Sequence, residues 1–170
     1  MKTFQQFIDD IPELDESSMS RIKAQSDKGG TAVMSASRGN LSAKENRARA
    51  KKLDRTIRSK FGKGATKVTG KYDEKDEKTG EKRRVKERSH VIQQGKMGKR
   101  KFKKAVKSLG RKYGQDSVIT QQKGSKDATL KRTRKGSMSK QNMKLGKMRP
   151  GRSGENETQK KGKTFTYDTK

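Results

Sequence analysis

The spacing of apolar residues predicts two amphipathic helices in the middle of the chain. The first begins after Ser42, because Ser42 and Glu45 have the spacing of a capping box, and it extends to about Lys60. Its apolar residues recur every three or four positions, at Ala50, Leu53, Ile57 and Phe61. The second helix is predicted from about residue 98 to 113, with an apolar face of Phe102, Ala105, Val106, Leu109 and Tyr113.

Short segments of strand-like sequence surround these helices. Residues 31–36 form one such segment, residues 65–72 and 81–93 predict a long hairpin, and residues 117–121 and 128–132 follow the second helix. The order β-α-β-β-α-β-β predicts an α+β fold, a small two-layer domain over residues 31–133. Residues 134–170 have almost no periodicity and are rich in Gly, Ser, Lys and Arg, so we expect a disordered basic C-terminal tail.

The first 16 residues differ from the rest of the chain. This leader carries five acidic side chains and one basic one, and residues 17–30 are interpreted as a linker. The apolar residues of the leader have helical spacing and predict a docking face, formed by Phe4, Phe7, Ile8 and Ile11. Pro12 ends this helix. Because so short a helix is marginal in water, we expect it to need a partner surface.

Composition narrows the possible functions. The chain has 47 Lys and Arg against 19 Asp and Glu, a net charge of +28, and only 25% hydrophobic residues. Cysteine is absent, His90 is the only histidine, and no apolar run is long enough for a membrane span. This charge favours double-stranded DNA or another polyanion as partner, since Lys and Arg gain affinity for phosphates by releasing counterions. We expect no membrane partner.

The basic residues cluster at several points, and these clusters are the predicted nucleic-acid-binding residues. Lys99, Lys103 and Lys107 are spaced four apart and predict a cationic ridge on the second helix. The full predicted set is Lys82, Arg83, Arg84, Lys99, Arg100, Lys103, Lys104, Lys107, Arg111, Lys112, Lys131, Arg132, Arg134 and Lys135.

Catalytic chemistry has little support in these patterns. A lone histidine in a predicted strand is more often a packing residue than a general base, and the acidic residues around 73–77 are interleaved with lysine in a predicted turn. Phosphate-binding glycine motifs and paired catalytic carboxylates are not found. We therefore predict a protein that is not an enzyme, with no catalytic residues, cofactor or metal.

The leader, residues 1–16, resembles the capsid-targeting sequence of internal head proteins in T-even-type tailed phages and their cyanophage relatives. In that family a prohead protease removes the leader after a hydrophobic-X-Glu triplet. Two such triplets stand here, Ile11-Pro12-Glu13 and Leu14-Asp15-Glu16, so cleavage is expected before Leu14 or before Ser17. The resemblance implies the prohead core and its protease as partners, and a location inside the virion capsid after assembly in the host cytoplasm. The alternative is a purely structural role, in which the leader is an N-terminal helix that packs on the domain.

Residues 32–130 resemble an uncharacterised family of small α+β domains from bacteria and phages. The similarity rests on Arg38-Gly39-Asn40, Glu45-Asn46-Arg47, Gly70-Lys71-Tyr72, Glu87-Arg88-Ser89 and the segment 114–118. Asn46 lies on the predicted buried face of the first helix, and a buried amide needs hydrogen-bond partners. Glu87, Ser89 or Gln115 are the expected partners. Together with Asn46 they would form either a binding pocket or a buried hydrogen-bond network that fixes the fold.

Three functions follow from these observations. The favoured one is a phage internal head protein that binds packaged DNA without sequence specificity. The alternative is an effector delivered into the host, an enzyme or an inhibitor of a host nuclease, acting through Asn46, Glu87, Ser89 and Gln115. A ribosome-like RNA-binding protein shares the charge but leaves the acidic leader unexplained.

Overall fold

The computed structural model describes residues 13–75, 79–133, 142–152, 156–160 and 162–167. Its helices are α1 (Glu13–Gly29), α2 (Ala43–Phe61) and α3 (Lys99–Lys112). Its strands are β1 (Thr31–Ser35), β2 (Thr66–Lys75), β3 (Lys82–Gln93), β4 (Ser117–Gln121), β5 (Asp127–Arg132), β6 (Met143–Pro150), β7 (Asn156–Lys160) and β8 (Lys163–Tyr167). No helix in these described ranges is long and apolar enough to cross a bilayer.

The strands form a closed antiparallel barrel in the order β1-β3-β2-β7-β8-β6-β5-β4. Strand β1 closes the ring because it pairs on both sides: Val33 lies opposite Val91 of β3 and opposite Ile119 of β4. Closure leaves no free sheet edge, which removes the usual site of unwanted strand pairing. Every strand of the barrel is therefore paired on both sides, and the ring encloses an interior space.

Two apolar clusters lie on opposite faces of the barrel wall, because successive strand residues point to opposite sides. The outer cluster packs α2 and α3 against the wall, and its fully buried members include Leu53, Ile57, Ile92 and Val106. The inner cluster consists of Ile22, Val33, Val68, Val91, Met148 and Phe165. Ile22 belongs to α1, so this helix contributes to the core inside the barrel.

Helix α1 packs across the barrel end where β1 begins and where β3 and β4 finish. Gln93 Nε2 donates to Gln25 Oε1 at 2.7 Å, and Gln121 Nε2 donates to Asp27 Oδ1 at 2.8 Å. Both bonds join the end of a strand to the helix. The opposite end of the barrel is the one that remains to hold a ligand.

The predicted first helix has the ends that its sequence specifies. The Ser42 side chain accepts from the Glu45 backbone N–H, and the Glu45 side chain accepts from the Ser42 backbone N–H. At the other end Gly62, with φ of 71°, donates its N–H to the Arg58 carbonyl. A left-handed residue at this position is the usual role of glycine after a helix. Local sequence therefore determines this element.

The predicted two-layer α+β architecture and disordered tail are wrong. The sheet closes into an eight-stranded barrel, and the part of the tail that the structure describes forms β6, β7 and β8. These strands were missed because a barrel strand needs apolar residues only at inward positions, here Leu145, Met148 and Phe165, and the charged outward positions hide the alternation. The segment interpreted as a linker is also structured, since α1 spans Glu13–Gly29.

Candidate active site in the barrel

A cavity of about 700 Å³ opens at the barrel end opposite α1. It lies beyond the inner apolar cluster, where β1 and β8 end and β4 begins. Side chains from all eight strands and from the segment before β4 reach it. Its lining includes Ser35, Gly70, Tyr72, Glu87, Ser89, Gln115, Ser117, Ile119, Leu130, Met143, Leu145, Thr158 and Tyr167.

A hydrogen-bonded carboxylate stands on one wall of the cavity. The Tyr72 hydroxyl, on β2, donates to Glu87 Oε1, on the adjacent β3, at 2.9 Å. Both side chains are half-buried. A hydrogen bond to an ionised acceptor is among the stronger ones, so it fixes where the carboxylate points. The Tyr72 hydroxyl therefore fixes the position of a carboxyl group on this wall.

Gly70 provides space beside that carboxylate. It pairs with Glu87 in the β2–β3 ladder. A Cβ added at Gly70 would lie 3.2 Å from Ser89 Oγ, a hydroxyl that itself lines the cavity. Any longer side chain at position 70 would project into the cavity. The missing side chain thus helps to keep the cavity open.

Gln115 lies next to this polar wall, in the segment that joins α3 to β4. Its Nε2 donates to the Ser37 carbonyl at 3.0 Å, and its own carbonyl accepts from the Thr133 hydroxyl. The side-chain bond ties Gln115 to the loop after β1. Gln115 is consequently held in place from both its backbone and its side chain.

The wall across the barrel is mainly apolar. Strands β4, β5 and β6 contribute Ile119, Leu130, Met143 and Leu145. Tyr167 of β8 completes it and packs edge-on against Phe165, with ring centroids 5.8 Å apart. Burial raises the pKa of the Tyr167 phenol, so this side chain is neutral at physiological pH.

An ion-pair group secures the β2–β3–β7 side of the cavity. Buried Glu157 of β7 lies 3.3 Å from Lys71 Nζ and 3.4 Å from an Arg84 guanidinium nitrogen. The hydrogen bond to Asp73, with the charges of Asp73 and Glu157, raises the pKa of Arg84. Glu157 thus pairs with one cation on β2 and one on β3, and these ion pairs link β7 to the hairpin that carries Tyr72 and Glu87.

Asn46 does not join the other three residues predicted to meet it. Its Nδ2 donates to the carbonyls of Arg38 and Leu41, and its Oδ1 accepts from the Arg38 N–H at 2.9 Å. It therefore fixes the loop between β1 and α2. Of the predicted group, Glu87, Ser89 and Gln115 do line one cavity.

His90 lies outside the cavity, under α2 on the outer face of β3. It is fully buried, and neither ring nitrogen has a hydrogen-bond partner. Burial lowers the pKa of His90, and the positive charges of Lys67 and Arg88 lower it further, while Asp54 opposes them. It is a neutral packing residue. The described residues contain no group of three His, Asp or Glu side chains arranged to hold a metal ion.

The predicted nucleic-acid-binding residues spread over several outer surfaces and do not line the cavity. Lys99, Arg100, Lys104, Arg111 and Lys112 are exposed on α3, and Lys82 and Arg83 are exposed at the start of β3. Partial burial lowers the pKa of Lys131 of β5, and the nearby charges of Lys103 and Lys107 lower it further. Arg132 is half-buried, Arg84 takes part in the ion pairs above, and Arg134 and Lys135 lie outside the described residues.

The leader is mostly beyond the described part of the chain. Its predicted docking face, Phe4, Phe7, Ile8 and Ile11, lies entirely outside it, so contact with a prohead core stays a prediction. The predicted cleavage residues Glu13, Leu14, Glu16 and Ser17 fall within helix α1. Cleavage there also stays a prediction, and it would require this turn of helix to open.

Sequence reasoning missed the apolar wall because half of it lies in the segment predicted to be disordered. Met143, Leu145 and Tyr167 all belong to that segment. One usable signal was the alternation of Thr164, Phe165, Thr166 and Tyr167, which has the period of a strand. Tyr72 and Gly70 were noted only as parts of a resemblance, with no role attached.

Comparison with known proteins adds one finding. Residues 32–170 match the sequence profile described as the S-adenosylmethionine lyase family. No curated protein matches the chain. Because the matching family is one of enzymes, the prediction of a non-enzymatic virion protein that binds packaged DNA is wrong, and the alternative that included an enzyme is the better supported one. The charge of the outer surface had dominated that prediction.

Proposed function

The chain belongs to the S-adenosylmethionine lyase family, and on this basis we propose that it cleaves S-adenosylmethionine inside the barrel cavity. The observation that carries the proposal is a positioned carboxylate, Glu87, in a cavity of about 700 Å³ within the matched residues. Sites for ligands of this size typically measure roughly 300–1,000 Å³. The cavity therefore has the size and the charge that this substrate needs.

The substrate is a cation, and most of the protein repels it. S-adenosylmethionine carries a sulfonium, an ammonium and a carboxylate, whereas the chain has a net charge of +28. A negative group inside the cavity offsets this repulsion, and its effect grows where water is displaced. Glu87 supplies that group, because the Tyr72 hydroxyl holds its carboxylate at the cavity wall.

The reaction breaks a carbon–sulfur bond without adding water. When the bond from sulfur to the methionyl Cγ breaks, its electron pair goes to sulfur, and the sulfonium becomes the neutral thioether 5′-methylthioadenosine. In one route a carboxylate oxygen of the substrate bonds to Cγ as the carbon–sulfur bond breaks, giving homoserine lactone. In the other route water takes a proton from Cβ as that bond breaks, giving vinylglycine. In both routes Glu87 holds the cationic substrate, and mass spectrometry distinguishes the products.

The host-directed alternative fits this chemistry. S-adenosylmethionine is the general methyl donor of a cell, so an enzyme that destroys it acts on the host rather than on packaged DNA. We propose that the leader serves delivery of such an effector, on the strength of its resemblance to phage capsid-targeting sequences. Mass spectrometry of purified particles should then find a chain that begins at Leu14 or Ser17, and absence of the protein from the particles would contradict this.

The test of the proposed function is the replacement Glu87→Gln. The amide oxygen still accepts from Tyr72, so the change removes a charge and keeps the shape. Loss of a charged interaction costs about 1.5–3 kcal/mol, and we expect kcat/KM for S-adenosylmethionine to fall roughly 10- to 150-fold. Exposed Glu81, just before β3, is the matched control, because Glu81→Gln changes the net charge equally. Equal kcat/KM values for the two variants would contradict the proposal.

A further inference from the structure

A second recess, separate from the barrel cavity, lies between the loop after β1, helix α2 and the end of α3. Its volume is about 330 Å³, and it shares no lining residue with the barrel cavity. None of its lining residues is acidic, and four of them are cationic: Arg38, Arg49, Arg111 and Lys112. The recess is therefore a local concentration of positive charge.

Two of these cations are held in place by backbone carbonyls. Arg38 Nη1 donates to the Gly114 carbonyl at 2.7 Å. Arg49 donates from Nε to the Ala36 carbonyl at 2.7 Å and from Nη2 to the Tyr113 carbonyl at 2.6 Å. Its guanidinium also lies over the Tyr113 ring, 5.6 Å from the ring centroid. These bonds use only some of the N–H donors of each guanidinium, so the others remain for a ligand that need not order the side chains first.

The position of Arg38 depends on two further residues. Gly114 has a φ of 71°, and a Cβ added there would overlap the Arg38 guanidinium, so this contact requires glycine. The Asn46 side chain bonds both the N–H and the carbonyl of Arg38. Asn46, which does not line the barrel cavity, is therefore a positioning residue for Arg38.

Capping of helix α3 accounts for only part of this arrangement. Cations near the last turn of a helix interact favourably with its carbonyl end, and Arg38 and Arg49 do so. Arg111 and Lys112 add two further charges, and none of the four cations forms an ion pair within the described part of the chain. Like charges around one recess repel each other, and a bound anion would relieve that repulsion.

We propose that this recess binds the phosphate groups of a small polyphosphate, either free pyrophosphate or the phosphate end of a nucleotide. A guanidinium matches a phosphate with two parallel N–H donors. Four positive charges are balanced better by a multiply charged polyphosphate than by a single carboxylate. The volume is at the lower end of the range for ligand sites, roughly 300–1,000 Å³, which suits a small anion. The site does not depend on the proposed function, because it lies outside the barrel cavity and its ligand has a charge opposite to that of S-adenosylmethionine.

Calorimetry with inorganic pyrophosphate and the full chain, in magnesium-free buffer at physiological ionic strength, tests the proposal. We expect one pyrophosphate to bind per chain, and Arg111→Gln to raise its Kd about five- to tenfold. Because the Arg111 side chain has no hydrogen bond or ion pair among the described residues, its replacement should not alter the Tm. Arg100→Gln is the matched control, since Arg100 is exposed on the first turn of α3 and does not line the recess.

A second pair of variants separates geometry from charge. Arg38→Lys keeps the positive charge but loses the planar fork of N–H donors. We expect it to raise the Kd for pyrophosphate about five- to tenfold, whereas Arg100→Lys should leave the Kd unchanged. Thermal unfolding verifies that each variant is folded.

The same titration with CTP identifies the source of the phosphate groups. CTP is used because it lacks adenine, which could enter the barrel cavity under the proposed function. A Kd for CTP far below that for pyrophosphate indicates a nucleotide, and similar Kd values indicate that the polyphosphate alone is recognised. Both results support the site.

Three results would overturn the proposal. It fails if pyrophosphate does not bind, or if it binds at many sites of equal affinity. It also fails if Arg100→Gln weakens binding as much as Arg111→Gln does, because the net charge of +28 would then attract anions without a specific site.

Discussion

Filling the cavity at Gly70 should weaken substrate binding while preserving the fold. In Gly70→Val the new Cβ lies 3.2 Å from Ser89 Oγ, a hydroxyl that can rotate away, and the two methyl groups extend toward the space beside Glu87. Gly70 does not have a positive φ, so a side chain brings no backbone strain. The perturbation therefore acts on the cavity rather than on the strand.

The two expected effects have opposite signs. Within a strand, valine is favoured over glycine by up to about 1 kcal/mol, so the free energy of unfolding should stay level or rise. Forcing a ligand into an overfilled site costs about 1–3 kcal/mol, which corresponds to a rise in KM of roughly 5- to 150-fold. Because stability and activity trade off at functional sites, a variant that is as stable as wild type but has a higher KM indicates that position 70 lies in a binding site.

The assay combines initial rates of S-adenosylmethionine cleavage with thermal unfolding. Gly39→Val is the control, since a Cβ at Gly39 would have no atom within 4 Å. Gly70→Ala should give an intermediate KM, because it adds one methyl group. If Gly70→Val and Gly39→Val have KM values within twofold of each other, the cavity is not where the substrate binds.

Other predictions concern stability and charge. A histidine in the unfolded chain takes up a proton near pH 6.5, whereas burial lowers the pKa of His90 in the folded protein. The free energy of unfolding should therefore decline as the pH falls below about 6.5. His90→Leu should remove this pH dependence in urea unfolding at several pH values, and an unchanged pH dependence would refute the prediction. Glu157→Gln removes one charged partner of Lys71 and of Arg84 and should cost about 1 kcal/mol, because both cations are partly exposed. The Tm should fall by roughly 2–4 °C, and an unaltered Tm would show that these pairs contribute nothing. Added salt screens the repulsion between the cationic protein and its cationic substrate. The value of kcat/KM should therefore rise about two- to threefold between low and physiological ionic strength. A steep fall in kcat/KM with added salt would contradict this prediction.

The local elements were predictable because their signals are local. The capping box at Ser42, the apolar faces of α2 and α3, and the β2–β3 hairpin follow from spacing alone, and all are present. Barrel closure could not be predicted in this way. It depends on β1 pairing with β4 and on β7 pairing with β2, which are contacts between segments far apart in the chain.

The site was only partly predictable. Glu87, Ser89 and Gln115 line one cavity, and their predicted role stays a prediction. Asn46 was grouped with them because its helical position suggested burial, but it bonds to the loop between β1 and α2. Its partners are loop backbone groups, which side-chain periodicity does not reveal. Function was mispredicted because a net charge of +28 describes the outer surface, whereas the chemistry of the cavity depends on a few inward residues.

The most direct measurement is the fate of S-adenosylmethionine itself. The purified full chain is incubated with S-adenosylmethionine, and the products are separated and identified by mass spectrometry over time. The account predicts accumulation of 5′-methylthioadenosine with a four-carbon amino-acid product, at a rate proportional to protein and reduced in Gly70→Val at substrate concentrations below KM. Recovery of intact S-adenosylmethionine, or its conversion only to S-adenosylhomocysteine, would contradict it.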